Sequence, residues 1–239
     1  MNDIQKLQSF IDQSSRIVFF GGAGVSTESG VPDFRSVDGL YNQNYKYPPE
    51  TIISRSFFIS KPRDFYDFYR DRMIYLDAKP NAAHDKLAEL EDAGKLAAVI
   101  TQNIDGLHQA AGSRNVLELH GSIWRNYCIK CGKPYDIYAV IEADGIPCCE
   151  CGGIIRPDVV LYEEALDESV IRLAEKHLRE ADLLIVGGTS LVVYPAAGLI
   201  SLCRSPLILI NKSTTSQDSR ASLLINDNIG EVLGGIHVQ

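Results

Sequence analysis

No apolar run in the 239 residues approaches the roughly 20 needed to cross a bilayer, so a membrane-spanning helix is not expected. Met1-Asn2-Asp3-Ile4 has no basic segment leading into an apolar stretch, so no secretory leader is expected either. Basic residues are in deficit: 23 Lys and Arg stand against 31 Asp and Glu, a net charge of −8. That disfavours a general nucleic-acid binder and makes a cationic protein tail the more natural partner. Internal repeats and low-complexity tracts are lacking. These absences predict a soluble cytoplasmic protein with no membrane partner and no direct nucleic-acid partner. In such a compartment six cysteines point to a metal or to free thiols rather than to disulfides.

What is present suits a substantial core: 45% of residues are apolar, in a chain long enough for one large domain or one domain with an inserted module. Apolar runs read as strands at 17–20, 97–100, 116–119, 183–186, 207–210 and 223–225. Helical patterns fall between several of them. Asn81 caps one that passes Leu87 and Leu90 and stops at Gly94. Others are predicted over 104–112 and 168–180, and one is opened by Pro195. Alternation of this kind argues for an α/β fold with a parallel sheet covered by helices on both faces. Two segments break the rhythm, an aromatic-rich helical stretch from 36 to about 79 and a Cys/Gly/Pro-rich stretch from 127 to about 157. Both read as insertions that together form a smaller second domain.

Ile17-Val18-Phe19-Phe20 runs into Gly21-Gly22-Ala23-Gly24-Val25-Ser26, which reads as a buried strand, a tight turn and a helix N-terminus. Glycines there let a diphosphate approach the backbone. The usual dinucleotide fingerprint is incomplete, because the next glycine is Gly30. Thr101-Gln102-Asn103-Ile104-Asp105 and His120-Gly121 follow the next two strands, at the end where α/β sheets bind ligands. His120 is a candidate general base, the alternative being a structural histidine. Gly187-Gly188-Thr189-Ser190 and Asn211 follow two later strands and offer hydrogen bonds to phosphates and a ribose. Cys128-x-x-Cys131 and Cys148-x-x-Cys151 are spaced as two zinc knuckles of a closed, structural site. Cys149-x-Cys151 is the alternative to the second knuckle.

Taken in order, these segments resemble the sirtuin family of NAD-dependent protein lysine deacylases. The resemblance rests on Gly22-Ala23-Gly24-x-Ser26-x-x-Ser29-Gly30-x-Pro32-Asp33-Phe34-Arg35, Gln102-Asn103-Ile104-Asp105, His120-Gly121, the four cysteines, Gly188-Thr189-Ser190 and Asn211. It implies a Rossmann-type NAD-binding domain from 1–35, 80–121 and 158–239. It also implies a small domain made of a helical module, 36–79, and a zinc module, 122–157. Gly22, Ala23, Gly24, Thr27, Phe34 and Arg35 are then expected to line the NAD site. Gln102, Asn103, Ile104 and Asp105 are expected at the nicotinamide end. Gly188, Thr189, Ser190, Asn211, Lys212 and Ile229 are expected at the phosphates and adenosine. The implied reaction consumes NAD as an acyl acceptor. Nicotinamide leaves, His120 acts as general base on a ribose hydroxyl with Asn103 ordering a water, and O-acyl-ADP-ribose forms with free lysine. Mono-ADP-ribosyl transfer or NAD hydrolysis in the same site is the alternative.

The substrate side departs from the family pattern. Leu161-Tyr162-Glu163-Glu164 stands where many members have Phe-Phe-Gly-Glu. By resemblance this segment, with Val160 and with Val193 opposite, pairs with the acyl-lysine peptide by strand addition. Glu163 is expected to stiffen it and add negative charge. Tyr69 and Arg72, three apart and so on one helix face, resemble the Tyr-x-x-Arg of desuccinylases and demalonylases. An Arg fork beside a Tyr hydroxyl suits a carboxylate at the end of an acyl group. The bland alternative is surface charge on a packing helix.

Overall fold

The computed structural model describes residues 1–34, 39 and 45–238. Six parallel strands form the main sheet: β1 (Ile17–Gly21), β2 (Leu96–Thr101), β3 (Val116–Glu118), β7 (Leu183–Gly187), β8 (Leu207–Ile210) and β9 (Leu223–Ile225). Their order is β3-β2-β1-β7-β8-β9. The chain builds outward from β1 to β3, then returns to lay β7 against the free edge of β1, with Gly21 beside Gly187. Strand order therefore reverses between β1 and β7, and α/β sheets bind ligands beyond the strand ends at such a point.

Alternate residues of these strands feed two cores. Ile17, Phe19, Leu183, Ile185, Ile208 and Ile210 face one, where α1 (Asp3–Gln13), α5 (Ala82–Asp92) and α10 (Ile229–Gly234) supply Leu7, Leu87 and Val232. Val18, Phe20, Leu184, Val186, Leu207 and Leu209 face the other, against Ala174 and Leu178 of α8 (Glu168–Glu180) and Ala196 and Ala197 of α9 (Ala196–Leu199). Burial on both faces explains why the strands read as unbroken apolar runs. α1 begins at a capping box in which Asn2 and Gln5 exchange backbone-to-side-chain bonds.

A three-stranded antiparallel sheet stands apart from the main one. It comprises β4 (Gly121–Cys128), β5 (Pro134–Tyr135) and β6 (Ile155–Val159), with α7 (Tyr138–Ile141) between the last two. A third core joins it to α2 (Pro49–Ile52), α3 (Arg55–Ser60) and α4 (Pro62–Arg72) through Phe57, Phe58, Phe65 and Tyr66. The chain passes between the two sheets at His120-Gly121. Gly121 has φ +77, and a Cβ there would lie 1.9 Å from the Asp158 carbonyl oxygen, so only glycine fits this crossing.

Two local expectations need correcting. Past the first glycines there is no α-helix: Ala23–Val25 and Thr27–Ser29 are short 3₁₀ turns, ended by Gly30 at φ +82. The helix predicted over 104–112 is limited to α6 (Leu107–Ala110). Its start is fixed by Asp105, whose side chain accepts from the Leu107 N–H at 2.9 Å. Gly106, at φ +77, keeps the residues before it out of the helix.

Candidate active site

A cavity of about 990 Å³ runs from the ends of β1, β2, β7 and β8 towards α4 and the 160–164 segment. Two glycine turns form its floor. Gly24 N–H donates to the Gly188 carbonyl at 2.8 Å. A Cβ on Gly24 would lie 2.8 Å from Gly188 Cα, and one on Gly188 would lie 2.4 Å from Val25 N. These glycines therefore serve the interlock of the two turns as well as any ligand above them. Gln102 spans the same junction, its Nε2 donating to Thr189 Oγ1 at 3.0 Å.

Ser26 is the hub of the next layer. Its hydroxyl donates to Asp105 Oδ2 at 2.7 Å and accepts from Asn103 Nδ2 at 3.0 Å. Asn81 supports the turn from behind, donating to the Val25 carbonyl at 2.8 Å and to Ser29 Oγ at 2.9 Å. In sequence Ser26 is only one member of the family-like stretch, and Asn81 reads only as a helix cap. A side chain that ties together three separate turns leaves no local periodicity to find it by.

His120 lines the cavity, with Nδ1 2.9 Å from the Gln102 carbonyl oxygen. A carbonyl only accepts, so Nδ1 carries the proton and Nε2 keeps a lone pair. Burial lowers the His120 pKa below the usual value, and the Gln102 carbonyl opposes that shift. The imidazole is therefore neutral at neutral pH, with the Nε2 lone pair unprotonated.

Of the expected NAD-site residues, Gly22, Ala23, Gly24, Thr27, Phe34, Gln102, Asn103, Ile104, Asp105, Gly188, Thr189, Ser190, Asn211, Lys212 and Ile229 all line this one cavity, and Arg35 lies outside the described residues. Their sequence separation is closed by the sheet: β1, β2, β7 and β8 end side by side. Ile229, at the start of α10, packs over Gly187, where a Cβ would lie 2.2 Å from its Cδ1. Asn211 Nδ2 donates to the Ser213 carbonyl at 2.9 Å.

Tyr69, Arg72, Val160, Tyr162 and Val193 line the same cavity at its other end. Tyr69 is 1% exposed and stacks on Phe65 at 5.6 Å, and its hydroxyl has no hydrogen-bond partner among the described residues. Burial raises its pKa. Arg72 pairs with the neighbouring Asp71 at 2.6 Å, an exposed contact of little energetic consequence. The backbone of Tyr162 is engaged on both sides, donating to Ile53 O and accepting from Arg55 N at 3.0 Å each. Among the described residues, the Val160 carbonyl and the Glu163 N–H have no hydrogen-bond partner. Glu163 sits at φ 75, and its carboxylate accepts from Ser56 N and Oγ at 2.9 Å. Its charge is thus held at the start of α3 as well as added to the groove.

The sulfurs that converge are those of Cys128, Cys131, Cys149 and Cys151, all within 4.8 Å of one another. Cys128–Cys151 and Cys131–Cys149 are 3.4 and 3.7 Å apart. Four thiolates around one tetrahedral zinc, each about 2.3 Å from it, would stand about 3.8 Å apart, so the cluster fits a structural zinc. Cys148 is not part of it, which corrects the expected second knuckle. Residues 147–155 double back through Cys149 N–H to Gly153 O at 2.8 Å and Ile155 N–H to Pro147 O at 2.9 Å. Neighbouring side chains in such an extended arm point to opposite faces. Cys149 turns to the cluster and accepts from Tyr135 Oη at 3.1 Å, while Cys148 is exposed.

Known proteins share much of this sequence and its fold. The chain is 60% identical over 238 residues to an NAD-dependent protein deacetylase of Clostridium acetobutylicum, covering 98% of this chain and 97% of that one. It is 58% identical over 238 residues to one of Clostridium perfringens, covering 98% of each. A solved Sir2 structure with a deacetylated p53 peptide and 3′-O-acetyl ADP-ribose superposes with a TM-score of 0.91 at 39% identity, over 99% of this chain and 100% of that one. A Sir2 complex with a p53 peptide and NAD gives 0.87 at 39% identity, over 98% and 96%. A sequence model of the Sir2 family matches residues 22–195, a span that takes in the interlocked glycine turns, His120 and the sulfur cluster. The chain belongs to the Sir2 family.

Proposed function

We propose that this protein is an NAD-dependent protein deacetylase that removes acetyl groups from lysine side chains. The observation that carries the reading is the position of His120. It is neutral, held by the Gln102 carbonyl, and lies in one cavity with both the glycine turns and the 160–164 segment. Relatives about 60% identical over nearly the whole chain bear that name.

NAD supplies a ribose that accepts the acetyl group and nicotinamide as the group that departs. The cavity fits such a ligand: the backbone of the Gly22–Gly24 and Gly188 turns lines it, and Ser190, Asn211 and Lys212 offer polar groups. Gln102, Ile104 and Asp105 hold the nicotinamide end, and Asn103 orders a water there. His120 Nε2 takes the proton of a ribose hydroxyl, while Nδ1–H stays on the Gln102 carbonyl and fixes the ring. The Val160 carbonyl accepts from the peptide and the Glu163 N–H donates to it, as in strand addition, with Val193 on the opposite wall. One water is consumed, and the products are nicotinamide, O-acetyl-ADP-ribose and free lysine.

Acyl range extends beyond acetyl by the same reading. The Tyr69 hydroxyl, which has no hydrogen-bond partner among the described residues, and the nearby Arg72 guanidinium suit a carboxylate at the end of a succinyl or malonyl chain. The test of the main proposal is turnover of an acetyl-lysine peptide with and without NAD, by wild type and by His120→Ala. Wild type is expected to deacetylate only with NAD, and the variant to keep its fold and metal but lose turnover. A variant near the wild-type rate would overturn the role of His120.

A further inference from the structure

Trp124 is the chain's single tryptophan. It lies on β4, is 43% exposed, and is not among the residues lining the cavity. Its Nε1–H nevertheless donates to the carbonyl of Asp105 at 2.8 Å. One residue earlier, Ile123 N–H donates to the Ile104 carbonyl at 3.0 Å. β4 thus holds two consecutive carbonyls of the loop whose other side faces the cavity. Gly106 makes room for the indole: a Cβ there would lie 2.6 Å from Trp124 Nε1. On the cavity side, the Asp105 carboxylate meets Ser26 Oγ at 2.7 Å, and Ser26 meets Asn103. The backbone direction that Trp124 sets is therefore passed within one residue to the carboxylate, and from it to the Ser26–Asn103 link.

We propose that Trp124 is a positioning residue for NAD, fixing the 104–106 loop from outside the cavity through its indole N–H. The inference rests on the assignment of Ile104 and Asp105 to the NAD site. The Asp105 carbonyl, if released, is solvated by water, so the fold is not at stake. What is lost is the fixed direction of the loop.

The measurements are the Kd for NAD by calorimetry, the KM for an acetyl-lysine peptide and the melting temperature, for wild type, Trp124→Phe and Trp124→Ala, each with its zinc. Trp124→Phe keeps a ring over Gly106 and removes only the N–H. It is expected to weaken NAD about two- to tenfold, the worth of one hydrogen bond. Peptide KM and melting temperature should stay unchanged, and Trp124→Ala should weaken NAD at least as much. In wild type, the lone indole's emission should shift as NAD is added. An unchanged NAD Kd in Trp124→Phe would overturn the proposal. So would a loss shared equally by peptide KM and accompanied by a lower melting temperature, which would mark Trp124 as packing alone. Calorimetry needs no turnover, so wild type that binds NAD but leaves acetyl-lysine intact would refute the deacetylase reading while still deciding Trp124. Failure of wild type to bind NAD would overturn both.

Discussion

Replacing His108 by leucine is expected to flatten the acid side of the stability curve. His108 lies on α6 with its ring 4.7 Å from that of His84 and 6.1 Å from that of Phe19, and it is 1% exposed. Neither ring nitrogen has a hydrogen-bond partner among the described residues. Burial, with the nearby His84 adding to it, pushes the His108 pKa down to about 3. In the unfolded chain it returns to about 6.5. Between these values the unfolded chain holds a proton that the folded chain lacks, so stability rises with pH in that window and is lost on acidification. From pH 7 to pH 5 the loss from His108 alone is about 2 kcal/mol, growing to about 4 kcal/mol by pH 3. His84 is shifted the same way by burial, against opposing pulls from Asp105 and Asp85, and is present in both proteins. Protonation of the cysteine cluster is likewise common to both and cancels in the comparison. The assay is urea unfolding of wild type and His108→Leu at pH 7 and pH 5. The variant should gain about 2 kcal/mol on wild type between the two pH values, because leucine has no proton to take up. Parallel losses in the two proteins would refute the reasoning.

Two further substitutions test the metal cluster and the acyl end of the cavity. Cys149→Ser is expected to lose bound zinc and Cys148→Ser to retain it, as measured by metal content after purification. The opposite pattern would restore the second knuckle to Cys148. Arg72→Met is expected to lower succinyl-lysine turnover several-fold while sparing acetyl-lysine, and an unchanged ratio of the two rates would end the carboxylate reading of Tyr69 and Arg72.

What the chain order alone conveyed follows the range of the forces involved. The runs at 17–20, 183–186 and 207–210 are strands because burial on both faces demands unbroken apolar residues, and that demand is local. Asn81 starts α5 for an equally local reason, since its side chain accepts from Ala83 N–H at 2.9 Å. The segment after Gly22 reads as a helix start in sequence but forms 3₁₀ turns, because its shape is set by Gly188, far along the chain. Cysteine spacing counted residues but not the phase of the 147–155 arm, and that phase selects Cys149 over Cys148. Ser26 and Trp124 act by bonds to loops distant in sequence, which leave no periodic trace. The likeness to a known family brought the site residues together earlier than periodicity does, and the strand order explains why residues as far apart as Gly22 and Asn211 share one cavity.

The most direct test of the account is the fate of the acetyl group. Wild-type protein, NAD and an acetyl-lysine peptide are incubated together, and the NAD-derived product is identified by mass. The account predicts O-acetyl-ADP-ribose and nicotinamide in equal amounts with free lysine. Free ADP-ribose or ADP-ribosylated protein, with the peptide still acetylated, would contradict it and assign the cavity to NAD hydrolysis or ADP-ribosyl transfer.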